Sequence, residues 1–228
     1  MPNNHGSLRF ERKFVVEGPT LPEVVGAVRQ NVALFFEEYP ARKVNNIYFD
    51  TADLRNYRQN IDGHSERAKV RIRWYGDLLG LVRRPVLEVK RKQGLLGTKD
   101  AAPLPPFDMN PGFGGVHAIA VVRAAPLSLA LRREVETVEP ALMNRYHRLY
   151  FRSADRRLRL TLDSGLEFYH MARHHNTFLR HARVRPIVVL ELKYADDAHL
   201  DAARAVNSLP FRLGRMSKYV LGIEMLRG

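Results

Sequence analysis

Charged and apolar residues alternate along several short segments of this chain. Residues 67–74 read Arg-Ala-Lys-Val-Arg-Ile-Arg-Trp. Successive side chains of a β-strand point to opposite faces of the sheet. The four basic residues therefore share one face, while Ala68, Val70, Ile72 and Trp74 share the other. Such a strand buries its apolar face in a core and turns its cations away from it.

The same alternation recurs elsewhere, so the pattern describes a sheet and not one strand. The further segments are 9–14, 87–92, 157–163 and 190–194. A single charged face can simply meet water, and a solvated surface stays open as an alternative for residues 67–73. Several such strands favour a sheet curled around a polar lumen, with helices on its apolar outer face. A lumen of Lys, Arg and a few carboxylates suits a polyanion held with a metal ion.

The net charge indicates that the binding partner is an anion. The 228 residues carry a formal charge of +13, which implies a phosphorylated small molecule, a nucleic acid or an anionic membrane. The absence of cysteine excludes disulfides and thiolate chemistry. No N-terminal run resembles a signal peptide, and the most apolar stretch, residues 116–131, is too short to span a bilayer. We therefore expect a soluble, cytoplasmic protein without a transmembrane segment.

Apolar spacing and turn residues predict an α+β chain that forms a single domain over residues 1–228. Strands are predicted at 8–16, 44–50, 66–75, 83–92, 146–153, 157–163, 166–171 and 186–194. Helices are predicted at 22–38, within 126–143, at 197–207 and at 217–227, with a helical turn through Tyr57. The Gly- and Pro-rich segment Gly94–Gly115 predicts a long loop that covers an opening. Asp50 is predicted to cap the helical turn that follows it.

Five motifs, taken in order, carry a resemblance to a known family. They are Glu11-x-Lys13, Arg71-Ile-Arg73-Trp-Tyr-Gly, Leu87-Glu-Val-Lys-Arg-Lys92, Leu190-Glu-Leu-Lys193 and Arg215-Met-Ser-Lys-Tyr219. Together they resemble the VTC domain of polyphosphate polymerases, a branch of the triphosphate tunnel metalloenzymes. The resemblance implies a closed antiparallel β-barrel of about eight strands, with helices packed outside the tunnel. It also implies Mn²⁺ or Mg²⁺ and a bound nucleoside triphosphate or polyphosphate.

The resemblance assigns roles to individual residues. The catalytic set would be Arg71, Arg73, Lys90, Arg159 and Glu191. The phosphate ligands would be Lys13, Arg71, Arg73, Lys90, Lys92, Arg148, Arg159, Lys193, Arg215, Ser217 and Lys218. Glu191 would be the metal carboxylate, and Glu11 and Glu88 are further candidates for the metal.

Simpler interpretations of these residues stay open. Glu191 and Lys193 can form a structural ion pair, and Arg215 with Lys218 can be a solvated helix start. Glu88 can have a structural role instead of binding the metal. Separately, Tyr48, Trp74, Tyr146 and Tyr150 are interpreted as packing residues.

The residue types suit phosphoryl transfer, which needs positioning and charge neutralisation more than a covalent nucleophile. A planar guanidinium can hold two phosphate oxygens at once. The resemblance therefore implies an enzyme that transfers the terminal phosphoryl group of a nucleoside triphosphate, ATP foremost, to a polyphosphate chain. Related hydrolases often carry two glutamates before the lysine, and here Arg9 replaces the first.

Two alternatives remain at this point. One is hydrolysis of triphosphate by the same lumen, with Glu11 or Glu88 positioning the water. The other is non-catalytic binding of polyphosphate or nucleic acid. No helix-turn-helix or zinc-finger motif supports specific nucleic-acid recognition.

Overall fold

The structure, a computed structural model, describes residues 9–93 and 96–227; the side chains of Arg9 and residues 92–97 lie outside the description. The described strands are β1 (Arg9–Glu17), β2 (Phe36–Asp50), β3 (Glu66–Tyr75), β4 (Gly80–Val82), β5 (Val86–Gln93), β6 (Leu96–Pro103), β7 (Phe107–Met109), β8 (Glu139–Arg152), β9 (Arg159–His170), β10 (His181–Arg183) and β11 (Ile187–Ala195). The helices are α1 (Leu21–Arg29), α2 (Arg55–Ile61), α3 (Gly115–Arg123), α4 (Leu129–Glu136), α5 (His199–Asn207) and α6 (Lys218–Arg227), with a 3₁₀ turn at Asp196–Ala198.

The predicted α+β class is confirmed: a large antiparallel sheet is combined with helices. The strands hydrogen-bond in the order β1-β11-β9-β8-β2-β3-β5-β6, with β10 also on β9, and β4 pairs separately with β7. The chain divides into two compact units. The first unit contains Met1–Arg42, His147–Leu166 and Val184–Met216, and the second contains Lys43–Tyr146, Glu167–Arg183 and Ser217–Gly228.

In the first unit, β11 lies between β1 and β9 and sets the register of the charged residues. Lys13 of β1 is opposite Glu191 of β11, and Glu191 is opposite Thr161 of β9. The alternate residues of these strands, such as Phe14 and Leu190, are fully buried in a core shared with α1 and α5. Charged side chains therefore gather on the face away from this core.

In the second unit, β3 lies between β2 and β5. Arg71 of β3 is opposite Tyr48 of β2 on one side and Glu88 of β5 on the other. Val70, Ile72 and Trp74 are buried in a separate core, as the alternation predicts. Burying one face of β3 thus fixes the direction of its basic side chains.

Helix α6 packs closely within the second unit, and this brings its first residues to a fixed place. A Cβ at Gly222 would lie 2.5 Å from the ring of Phe168 and 2.9 Å from Leu142, so only glycine allows this approach. Tyr219, one turn before Gly222, is buried. The helix therefore begins at Lys218 in a position set by its packing.

Two sequence predictions are wrong. The predicted helix 22–38 ends at Arg29. Leu34 takes a left-handed φ of 50°, which does not fit a helix, and β2 begins at Phe36. The predicted loop Gly94–Gly115 instead contains β6 and β7, which pair with β5 and β4; Gly94 and Leu95 lie outside the described residues. The segment therefore supplies strands in place of a loop that covers an opening.

Other boundaries differ less. The predicted strand 166–171 is the end of β9, and the strand predicted from residue 44 begins earlier, at Phe36. Within the described part of the chain, no helix combines the length and hydrophobicity needed to cross a bilayer.

Candidate functional site

Six charged residues of β1, β8, β9 and β11 form the first-unit cluster: Glu11, Lys13, Arg148, Asp163, Glu191 and Lys193. Glu191 is its most connected carboxylate. The ammonium groups of Lys13 and Lys193 each lie 3.4 Å from Glu191 carboxylate oxygens, and an Arg148 nitrogen lies 3.9 Å away. Glu11 joins the same lysines, at 2.9 Å from Lys13 and 3.9 Å from Lys193. Acidic and basic groups are thus balanced.

The deepest pair of this cluster joins β8 and β9. Arg148 donates from Nε and Nη2 to the two carboxylate oxygens of Asp163, at 2.5 and 2.6 Å. Asp163 is completely buried, and the Arg148 side chain is 12% exposed. A bidentate pair of this kind fixes the plane of the guanidinium. Arg148 is therefore held in one orientation beside Glu191.

The other predicted ligands of the first unit lie nearer to solvent. Arg159 is exposed on β9, opposite Lys193 of β11. Arg215 is exposed and lines a shallow pocket together with Glu11 and Lys13. The Lys13 ammonium also donates to the carbonyl oxygen of Met216, at 3.4 Å. Arg159 and Arg215 thus have the freedom to meet a ligand from solution.

A second group of charged residues, the second-unit cluster, contains Lys69, Arg71, Arg73, Glu88, Lys99, Ser217 and Lys218. Glu88 is its buried centre. Its carboxylate lies 2.6 Å from Arg71 Nη2, 3.5 Å from Arg73 Nη1 and 2.6 Å from Lys99 Nζ. Burial opposes ionisation of Glu88, but Arg71, Arg73 and Lys99 outweigh it and lower its pKa to about 2. Glu88 is therefore an anion that orders the arginines.

Tyrosine hydroxyls hold the same two arginines from the other side. Arg71 donates to the Tyr48 hydroxyl at 3.2 Å, and Arg73 donates to Asn46 Oδ1 at 2.9 Å and to the Tyr146 hydroxyl at 3.5 Å. Burial acts to lower the pKa of Arg71, yet Tyr48 and Glu88 raise it above its ordinary value. Both guanidinium groups are therefore held in one orientation.

The start of α6 adds two further predicted ligands to this cluster. The Lys218 ammonium lies 4.9 Å from the centre of the Tyr146 ring, whose hydroxyl contacts Arg73. Lys69 donates to the Ser217 hydroxyl at 3.0 Å. Three cations and a hydroxyl group are thus placed beside a helix N-terminus, a position that favours anions.

A buried carboxylate outside the cluster anchors this helix. Asp50 accepts hydrogen bonds from the backbone amides of Asn56 and Tyr57 at 2.8 and 2.9 Å, which confirms its predicted role as a cap of α2. It also accepts one from the Tyr219 hydroxyl. Burial, followed by the hydrogen bond to Asp50, raises the pKa of Tyr219. Asp50 therefore ties α2 to α6.

The family model of the VTC domain matches residues 8–227. The chain belongs to the VTC domain family. Among solved structures it is similar to a putative adenylyl cyclase from Hippeastrum that shows a dominant triphosphatase activity. The identity is 13% over 94% of each chain, with a TM-score of 0.52.

It is also similar to a putative adenylate cyclase from Vibrio parahaemolyticus. The identity is 12% over 95% of this chain and 99% of that chain, with a TM-score of 0.50. At these identities the similarity shows a shared fold. A search of curated proteins finds no match.

The carboxylates of this VTC domain fit a divalent cation in part. Glu11 and Glu191 contact the same two lysines, so their oxygens belong to one small patch. Mg²⁺ is commonly held by one or two carboxylates and completed by phosphate oxygens. Within the described residues there is no group of three or more acidic, His or Cys side chains able to hold a metal. The fit therefore requires oxygen ligands from a substrate.

The structure separates the predicted ligands by environment. Arg71, Arg73, Arg148 and Lys218 are half-buried in the clusters, whereas Lys90 is exposed on β5. The side chain of Lys92 lies outside the described part of the chain. Sequence reasoning missed Tyr48 and Tyr146 as partners of the arginines, and it missed Asp163 as the partner of Arg148. Only Asp163 had a usable signal, because it alternates with Leu162 on a charged strand.

Proposed function

We propose that this VTC domain is a metal-dependent phosphotransferase that binds a nucleoside triphosphate and extends a polyphosphate chain. The observation that carries the proposal is that Arg71 and Arg73 both contact Glu88, while Arg73 and Lys218 both contact Tyr146 in the second unit. Glu88 is already engaged by the arginines, so a further anion would meet a net positive surface. Phosphates are anions that match the planar guanidinium geometry.

The proposed reaction needs no strong base. A terminal oxygen of the polyphosphate attacks the γ-phosphorus of the nucleoside triphosphate, the bond from that phosphorus to the β,γ-bridging oxygen breaks, and nucleoside diphosphate leaves. Arg71 and Arg73 neutralise negative charge on the phosphates during the transfer. Their orientation by Glu88, Tyr48 and Tyr146 avoids reorganisation when that charge shifts.

In the first unit, Glu191 is the proposed metal carboxylate, with Glu11 as its neighbour. When bound, Mn²⁺ or Mg²⁺ supplies positive charge to phosphate oxygens. Lys13, Arg148 and Lys193 surround Glu191 and are proposed phosphate ligands. Arg159 and Arg215, which are exposed, are proposed to capture phosphates arriving from solution.

The finer fold predictions belong to the same proposal. Closure of the sheet into a barrel that forms a tunnel, a single functional domain over residues 1–228 and a cytoplasmic location stay predictions. Family membership and the fold shared with the two solved structures support the tunnel.

A triphosphatase is the second candidate, and one observation favours it. The Hippeastrum protein, which shares the fold, shows a dominant triphosphatase activity. In that reaction water replaces polyphosphate as the acceptor, and Glu11 is the proposed residue that positions it. Both candidates require the same cations, so the ligand clusters alone do not choose between them.

The deciding experiment is incubation with ATP and Mn²⁺ or Mg²⁺, with gel analysis of polyphosphate and parallel measurement of free phosphate. We expect polymer to accumulate together with ADP. Stoichiometric release of free phosphate, with no chain longer than the starting triphosphate, would establish the triphosphatase instead. Absence of both products would overturn the proposal that this domain is an enzyme acting on ATP.

A further inference from the structure

A pocket of about 200 Å³ in the first unit combines aromatic, polar and basic walls. We call it the tyrosine pocket. Its wall includes Glu38, Tyr39, Tyr150, Arg159, Thr161 and Lys193. The sequence pattern predicts a packing role for Tyr150 and no role for Tyr39. The proposed phosphoryl transfer does not use these two tyrosines, which lie beside the proposed phosphate ligands Arg159 and Lys193.

The aromatic wall has the geometry of a stacking platform. The rings of Tyr39 and Tyr150 meet edge to face, with centroids 5.9 Å apart and planes at 87°. The guanidinium carbon of Arg42 lies 5.5 Å from each ring centroid. Tyr39 is 47% exposed, so its ring retains surface for a further contact. Aromatic rings and guanidinium planes are the groups on which nucleobases stack.

Polar groups in the same wall can read the edge of a base. The Thr161 hydroxyl is buried and has no hydrogen-bond partner among the described residues. A hydroxyl group both donates and accepts, and leaving it unpaired costs free energy. Glu38 supplies a carboxylate fixed by Arg152, whose Nε lies 2.9 Å away. A ring with hydrogen-bonding edges would satisfy Thr161.

The basic wall supplies the other half of a nucleotide site. Arg159 and Lys193 are opposite each other on β9 and β11, and both line the pocket. They are proposed phosphate ligands. Inorganic polyphosphate has no flat apolar surface that an aromatic wall would recognise, whereas a nucleotide has a base and phosphates in one molecule. The combined walls therefore favour a nucleotide.

We propose that the tyrosine pocket binds the nucleobase of the nucleoside triphosphate, with Arg159 and Lys193 directed to its phosphates. The inference rests on the proposed function and specifies its donor: a nucleoside triphosphate is preferred to inorganic triphosphate. The base stacks on Tyr39, and its edge contacts Thr161. Removal of the Tyr39 ring should then weaken binding of the nucleotide without weakening binding of inorganic triphosphate.

The test compares Kd values for two ligands in one Mg²⁺ buffer by calorimetry. The ligands are the non-hydrolysable nucleotide adenylyl imidodiphosphate and inorganic tripolyphosphate. We expect Tyr39→Leu to weaken binding of the nucleotide about 5- to 150-fold, the range given by loss of base stacking, and to leave binding of tripolyphosphate unchanged. Tyr39→Phe should keep the wild-type affinity, because the ring remains. Phe36→Leu, at a 41% exposed aromatic of the same strand, is the matched control.

Each result decides something. A loss confined to the nucleotide in Tyr39→Leu, absent in Tyr39→Phe and Phe36→Leu, supports the base site. Equal losses for both ligands, or no loss for either, overturn the base site while the proposed phosphotransferase stands. Failure of the wild-type protein to bind either ligand overturns both proposals.

Discussion

The two units surround their central glutamates differently. In the first-unit cluster two further carboxylates lie near Glu191, because Glu11 and Asp163 pair with the same lysines and arginine that surround it. In the second-unit cluster Glu88 faces Arg71, Arg73 and Lys99, and the remaining contacts of the arginines are tyrosine hydroxyls and an amide oxygen. One cluster is balanced in charge and the other has an excess of cations.

This difference separates two kinds of ligand. A balanced group with two neighbouring carboxylates suits a cation whose other ligands come from a phosphate. A cationic group oriented by neutral hydroxyls retains charge for an anion and loses little of it to internal pairing. We therefore expect changes in the first unit to affect metal-dependent chemistry and architecture, and changes in the second unit to affect anion binding.

The largest effect should come from the buried pair of the balanced cluster. Asp163→Asn removes the carboxylate that binds Arg148 in a bidentate pair, and breaking a buried pair costs roughly 3–5 kcal/mol. Urea unfolding should show this loss in the free energy of unfolding. Asp201→Asn is the control, since it breaks a pair with Arg157 that is 33–40% exposed and should cost less than about 1 kcal/mol. Equal losses would mean that burial does not distinguish the pairs.

The second largest effect should be the loss of unfolding free energy when Glu88 is protonated at low pH. Its pKa is lowered from 4.5 to about 2 in the folded state, so its ion pairs stabilise the protein fully above about pH 4.5. That stability, roughly 3 kcal/mol, should be lost as the pH falls from 4.5 towards 2. The unfolding free energies of wild type and Glu88→Gln should converge over this range. A constant difference between the two proteins would contradict the assigned pairing.

Turnover is the third measurement that distinguishes the clusters. Glu191→Gln should lower metal-dependent turnover at least about 100-fold, equivalent to about 2.7 kcal/mol, because the proposed metal loses its carboxylate. Binding of tripolyphosphate should be retained, since Lys13, Arg148 and Lys193 remain. Glu37→Gln, at a surface pair with Arg29, is the control. Full activity of Glu191→Gln at saturating metal would remove Glu191 from the proposed site.

The smallest of the four effects should be on anion affinity in the second unit. Arg71→Ala should weaken tripolyphosphate binding by roughly 1.5–3 kcal/mol, the value of a charge-assisted hydrogen bond. Lys99→Ala removes another partner of Glu88, but its side chain is 53% exposed and the change should stay below about 1 kcal/mol. Calorimetric titration of both variants makes the comparison. A larger loss for Lys99→Ala would place the anion elsewhere.

Local pattern predicted the strands that bury one face. Residues 66–75 were predicted as a strand from alternation alone, and β3 has those bounds, because burial of Val70, Ile72 and Trp74 is a local property. Strand β6 has no such signal. Its sequence, Leu-Gly-Thr-Lys-Asp-Ala-Ala-Pro, lacks alternation, and it is a strand because its backbone pairs with β5.

The candidate site divides in the same way. Alternation predicts that Arg71 and Arg73 share a face, but it does not predict their partners. Tyr48 lies on β2 and Tyr146 on β8, so their contacts depend on which strands become neighbours. The distinction between a cation engaged by a carboxylate and one engaged by a hydroxyl is therefore a property of tertiary structure.

The anchoring of α6 by Asp50 has a consequence for cooperativity. One carboxylate accepts hydrogen bonds from the first turn of α2 and from Tyr219 of α6, so opening either helix removes partners from the buried anion that the other helix also holds. Segments linked in this way exchange their amide hydrogens through a shared opening. The opening free energy at the proposed phosphate ligands Ser217 and Lys218 therefore depends on α2, which lies more than a hundred and fifty residues earlier in the chain. A bound anion should slow hydrogen exchange in α2 as well as in α6.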